Sequence, residues 1–171
     1  MALLKTVRNC TPEFGRNCFL AENATIVGAV KTGDDCSIWF NAVVRGDVND
    51  ITIGNKVNIQ DGAVIHCTFE KTKTIIGNNV SVGHNAIVHG CTIEDDVLVG
   101  MGAIIMDNVI VESNCIIAAG AVVTQNQRLE GGFIYAGTPA KKIKAVSEEL
   151  KNGEIARIAN NYLTYSSWFK D

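Results

Sequence analysis

Aromatic residues are scarce in this 171-residue chain. It has six Phe, three Tyr and two Trp, although 47% of its residues are hydrophobic. Between Asn41 and Gly132 the only one of these rings is Phe69. A sandwich or barrel core of that length would usually be filled by several aromatics, so an ordinary globular β core is excluded. Basic runs are missing as well, and the net charge is −3. This argues against a nucleic-acid surface. No apolar run reaches the roughly 18 residues of a transmembrane helix. The opening Met1-Ala-Leu-Leu-Lys-Thr6 turns polar too soon for a signal peptide. The six cysteines contain no C-x-x-C pair, which excludes a zinc ribbon or a thioredoxin-type motif. Reduced thiols in a single-domain, intracellular, cytoplasmic protein are the expectation.

What is present is β-branched and turn-forming. Ile (19) and Val (18) dominate, with 16 Gly and 16 Asn. Such a composition favours strands and tight turns over helices. The aliphatics also keep time. Leu20, Ile26, Ile38 and Val44 are in phase, with Thr32 in the slot between. The beat resumes at Ile53, Ile59, Ile65, again at Ile76, Val82, Val88, and runs on through Ile93, Val99, Ile105, Val111, Ile117 and Val123. Four positions after most anchors stands a small residue or Val, such as Ala42, Ala63, Ala86, Ala103 or Cys115. A period of six is not a multiple of 3.6, so helices cannot explain it.

This hexapeptide repeat resembles that of the left-handed parallel β-helix proteins. The resemblance implies an all-β fold in which each repeat forms one side of a triangular coil of about 18 residues, with coils stacked roughly 4.8 Å apart. The left hand of the crossovers, against the usual rule, is likewise implied by the resemblance. A thin triangular core accounts for the missing rings, leaving the aromatics to the ends. Cys36 and Cys115 fall in core slots. Residues 1–19 read as a lead-in, 20–137 as the β-helix, and 138–171 as a C-terminal segment with an amphipathic helix. That helix starts near Ser147-Glu-Glu, is interrupted near Gly153, and carries Ile155, Ile158, Tyr162, Tyr165 and Phe169 on one face. Two insertions break the count, Gly46–Asn49 with its neighbours and Cys67–Ile75, and one residue is missing between Val88 and Ile93. Loops leaving a rigid scaffold are common functional positions.

The three histidines, His66, His84 and His89, fall within one short stretch. If sides a, b and c are assigned from Leu20 onward, Ile65 and Val88 are both on side b, one coil apart. His66 and His89 follow them directly and should stack on one outer face, with Arg45 one coil earlier. His84 belongs to the turn after side a. Two stacked imidazoles and a third from the same chain or a neighbour can hold a catalytic zinc with one open position.

Three stretches carry a closer resemblance: Trp39-Phe-Asn-Ala-Val-Val-Arg-Gly-Asp47, Asn58-Ile-Gln-Asp-Gly-Ala-Val-Ile-His66 and Gly83-His-Asn-Ala-Ile-Val-His-Gly90. They resemble the γ-class carbonic anhydrases along nearly the whole chain. The resemblance implies a homotrimer with one zinc ion per subunit interface, iron or cobalt being alternatives. His66 and His89 would come from one chain and His84 from the next. It implies an interface ion pair of Arg45 with Asp47. Gln60 would hydrogen-bond the zinc-bound hydroxide or bicarbonate, Asn58 would line the site, Asp61 would either orient the set or serve the turn before Gly62, and Tyr162 would either reach the site from the C-terminal helix or belong only to that helix's apolar stripe. The implied reaction is reversible hydration of carbon dioxide to bicarbonate, with no nucleic-acid or membrane partner. The chain departs from the best-studied pattern in proton export, because Val48 follows Asp47 and the loop after His66 offers only Glu70. Glu70 is a candidate substitute carrier. Cys67 and Cys91 are either unrelated thiols or a redox pair. The competing functions are acyl transfer or hydrolysis on coenzyme A thioesters, and a non-catalytic metal-binding trimer.

Overall fold

A computed structural model describes residues 1–169. The anchors do what their period requires. Ile26, Val44, Ile65, Val88, Ile105 and Val123 are fully or almost fully buried and stack on one another in parallel register. Side a runs through Phe19–Leu20, Ser37–Ile38, Asn58–Ile59, Ser81–Val82, Leu98–Val99 and Ile116–Ile117. Phe133–Ala136 continues it, and Lys141–Ala145 closes it as an antiparallel edge strand. Side b comprises Val64–His66, Ile87–His89, Ile104–Ile105 and Val122–Val123. Side c comprises Thr74–Ile76, Thr92–Ile93, Ile110–Val111 and Arg128–Leu129. The whole is a left-handed parallel β-helix of about 7 turns with a helical C-terminus.

Asparagine abundance is explained at the corners. Asn41, Asn85, Asn79, Asn114, Asn108 and Asn126 all adopt positive φ between 54° and 62°. Asn tolerates this left-handed conformation because its short polar side chain bonds locally. Several of these side chains also bond to the coil beside them, as in Asn79 Nδ2 to Asp96 Oδ1 (3.2 Å) and Asn108 Nδ2 to Asn126 Oδ1 (3.2 Å).

One expectation needs correction. The segment around Gly46–Asn49 is not a loop. Val43–Ile53 is one 11-residue strand that runs along side b and continues along side c beside Thr25–Thr32, with a register shift between Gly28 and Val30. Two neighbouring strands bent together keep their backbone bonds paired, so no loop is needed. The lead-in contributes a strand, Leu3–Lys5, which pairs with Thr25–Val27 and lengthens side b. Aromatics stand at the ends, with Phe19 in the first side-a strand and Phe133 and Tyr135 in the last parallel one, and also gather on a flank. Trp39 touches Phe19, Phe40, Tyr162 and Phe169 at centroid distances of 5.0–6.3 Å, where the C-terminal helix lies on side a.

The helix begins as read. Ser147 Oγ accepts from the Leu150 N–H and caps α1, Glu148–Leu150. Gly153 widens the helix instead of ending it: Lys151–Ala156 is a π-helical turn that passes directly into α2, Arg157–Ser167. Ile155 is buried, and Phe169 lies past the end of α2. Lys170 and Asp171 of the C-terminal segment lie outside the described residues.

Candidate metal centre

The stacking of two histidines is direct. His89 pairs with His66 in the side-b ladder, as Val88 does with Ile65. Their rings tilt together with centroids 5.1 Å apart, and His66 Nδ1 faces His89 Nε2 at 3.1 Å. Each ring's other nitrogen meets a carboxylate. His66 Nε2 lies 3.2 Å from Asp47 Oδ1, and His89 Nδ1 lies 3.0 Å from Asp107 Oδ1. A carboxylate accepts an N–H, so each outer nitrogen carries the proton. The two inner nitrogens then face one another as lone pairs, an arrangement that needs a cation or a proton between them. Two nitrogens bound to a tetrahedral zinc would stand about 3.3 Å apart. Carboxylate–histidine pairs are also the usual outer support of a metal-binding imidazole. The two rings therefore fit a metal. Among the described residues of one chain, no three His, Cys, Asp or Glu side chains converge on such a position.

Electrostatics agree. Burial lowers the pKa of His66 against the opposing pull of Asp47, which keeps the ring neutral and able to ligate. Burial pulls Asp47 upward, but Arg45 and His66 hold it below the usual carboxylate range. Arg45 Nη1 donates to Asp47 Oδ2 at 2.6 Å, so this ion pair forms within one chain. Asp47 thereby serves a histidine as well as an arginine.

The remaining predicted residues gather elsewhere. His84 sits at the corner between sides a and b, with Nδ1 2.9 Å from Asp61 Oδ2. Gln60 Nε2 donates to Asn58 Oδ1 (2.9 Å), and Asn58 Nδ2 donates to Ser81 Oγ (2.8 Å), all three residues being buried. A cleft of ≈ 340 Å³ between side a and α2 is lined by Gln60, His84, Arg157 and Tyr162, among others. The Tyr162 ring stacks edge-on against Trp39 at 5.2 Å, and burial followed by the Asp61 charge pushes its hydroxyl pKa up to about 12. The predicted residues thus form two groups on opposite edges of side b. His66, His89, Arg45 and Asp47 stand on one edge, and His84 and Asp61 on the other, with Gln60, Asn58 and Tyr162 beside them on side a and α2.

Asp107 went unremarked in the sequence. Its signal was positional: it lies 18 residues, one coil, beyond His89. Glu70 lines a depression of ≈ 310 Å³ that also contains Asp47. Cys67 and Cys91 are core side chains, 0% and 2% exposed. Burial raises both thiols, Cys91 to about 12. A reactive thiol needs the opposite shift, so the plain reading of two buried small residues holds.

A family model described as bacterial transferase hexapeptide (six repeats) matches residues 90–125. The chain is 47% identical over 150 residues to the probable carbonic anhydrase of Methanocaldococcus jannaschii, covering 88% of this chain and 91% of that protein. It is 41% identical over 165 residues to mitochondrial gamma carbonic anhydrase 2 of Arabidopsis thaliana, covering 94% of this chain. The match spans 59% of that plant protein's length. A crystal structure of a hexapeptide transferase family protein from Anaplasma phagocytophilum superposes with a TM-score of 0.92 at 36% identity, covering 98% of each chain. With its repeat, its stacked histidines and these relatives, the chain belongs to the γ-class carbonic anhydrase family of hexapeptide-repeat proteins.

Proposed function

We propose that this protein is a homotrimeric zinc enzyme that interconverts carbon dioxide and bicarbonate. The observation that carries the proposal is the division of the predicted residues between two edges of one apolar face. Along the outside of side b, Thr25, Val43, Val64, Ile87, Ile104 and Val122 are paired in one unbroken ladder. Ile87 is 37% exposed in the single chain. An outward aliphatic stripe of this length calls for a cover, and a second copy of the chain is the occupant we propose. Three copies packed by this face around a threefold axis would bring the His66–His89 edge of one against the His84 edge of the next. Cyclic closure of that kind satisfies every copy equally.

Within the assembled site, His66 Nδ1 and His89 Nε2 would hold zinc from one chain and His84 Nε2 from its neighbour. Asp61 would orient His84 as Asp47 orients His66. Zinc bound there supplies hydroxide near neutral pH by acidifying water. Gln60, whose amide nitrogen is engaged by Asn58, is fixed in place to meet the reacting oxygen. Tyr162 narrows the approach from the helix side. Glu70, sharing a depression with Asp47, is the carboxylate proposed to take the exported proton.

Zinc content of protein purified without added metal, paired with stopped-flow carbon dioxide hydration, tests this reading. One zinc per chain and measurable hydration are expected. Zinc with no hydration would shift the function to acyl transfer or thioester hydrolysis, which the transferase name of the Anaplasma relative makes the second reading.

A further inference from the structure

The short loop after His66 carries one acidic residue, yet its threonines converge on a single, partly buried oxygen. Thr68 Oγ1 donates to Asp107 Oδ1 at 3.1 Å, and Thr72 Oγ1 donates to the same oxygen at 2.9 Å. That oxygen also receives the His89 Nδ1 proton at 3.0 Å. The Asp107 side chain is only 17% exposed. The loop is braced in turn, with Thr68 N–H donating to Thr72 Oγ1 at 2.9 Å.

Gly90, directly after His89, leaves the room this requires. A Cβ there would stand 2.0 Å from Asp107 Oδ1 and 2.3 Å from Thr72 Oγ1, and the residue has φ +56°. Its N–H meets the His66 carbonyl at 3.0 Å, and Thr74 Oγ1 donates to that same carbonyl at 2.6 Å. Loop, carboxylate, glycine and both histidines are therefore one bonded unit.

We propose that Asp107, clamped by Thr68 and Thr72 against Gly90, is the positioning residue of His89. The loop's task is then to fix which nitrogen of His89 carries the proton and where the other one points. This deepens the metal reading and rests on it for its consequence, though not for its geometry. A carboxylate that takes three donors on one oxygen has little freedom to turn, so the imidazole it holds is presented in one tautomer and one orientation.

The test uses the full-length protein and three variants: Asp107→Ala, Asp107→Asn and Thr72→Val. In metal-free wild type, ¹⁵N shifts of the histidine side chains should place the His89 proton on Nδ1. In Asp107→Ala they should show a mixture of tautomers. Competition with a chromophoric chelator should show zinc bound about 10–100-fold more weakly by Asp107→Ala. Asp107→Asn, which keeps an acceptor oxygen, should lose less. Thr72→Val should weaken zinc in the wild-type background and do almost nothing on top of Asp107→Ala, because the two act through one carboxylate. An Nε2-protonated His89 in the wild type, or zinc affinity unchanged by Asp107→Ala, would overturn the proposal. A wild type that takes up no zinc would remove the metal reading, while the nitrogen shifts of the metal-free protein would still decide the role of Asp107.

Discussion

Two imidazoles, those of His66 and His89, face each other nitrogen to nitrogen at 3.1 Å. Each ring is told which nitrogen to protonate by a carboxylate from a different place, Asp47 on the preceding coil and Asp107 on the following one. The period of six alone placed His66 over His89, because a parallel ladder repeats its register coil by coil. It could not disclose Asp107, whose role depends on a threonine loop folding back over it. Replacing His84 by Ala should cost zinc more than the roughly 100-fold upper limit of an outer-support loss. The far-ultraviolet circular dichroism should stay that of the wild type, since His84 is a corner residue and its side chain is 41% exposed. Zinc content and equilibrium dialysis would measure this, and full occupancy in His84→Ala would remove His84 from the site. Burial lowers the pKa of His66, which favours the neutral ring that can ligate.

At the scale of the element, stability resides in two kinds of ladder. The inner one is aliphatic. Ile105 is fully buried between Val88 and Val123, and Ile105→Ala should cost about 2–5 kcal/mol by leaving a cavity the narrow core cannot close. Chemical denaturation would measure it, and a cost below about 1 kcal/mol would mean that the coils relax. The outer ladder is polar. Arg16 side-chain and backbone donors hold Asp34 below the ordinary carboxylate range, and Gly131 N–H with Arg128 does the same for Glu112. Both groups titrate lower when folded than when unfolded. Their stabilisation is therefore complete above the unfolded values of about 4, and it fades as pH falls through the depressed folded values. Thermal melts of metal-free protein should drop on that acid limb, and Glu112→Gln should make the drop shallower. An unchanged slope would show that Glu112 contributes nothing by this route.

The whole molecule carries an aliphatic ladder along side b, with His66 and His89 at one edge and His84 at the other. Ile87→Lys, in the middle of that ladder, should leave the β-helix intact and separate the copies. Sedimentation should then report a species near 18.4 kDa in place of a trimer, and zinc should be lost together with assembly. A variant that stays trimeric and keeps its zinc would move the interface to another side. Among the described residues no helix is long and apolar enough to cross a membrane.

By itself, the sequence determined the β-helix, the side on which each repeat lies, and the stacking of His66 over His89. Those properties follow from a fixed period, and a period survives without knowledge of any contact. Asparagine counted as turn material, and the corners place it there at positive φ. Tertiary structure alone decided the rest. The Val43–Ile53 stretch broke the period, yet it became a strand because its neighbour bends with it. The aromatic cluster around Trp39 forms on the flank because α2 docks there. Asp107 joined His89 because Thr68 and Thr72 close over it from a loop whose path no repeat dictates. Periodic positions are set by neighbours one coil away, whereas these depend on side chains meeting across elements that share no period.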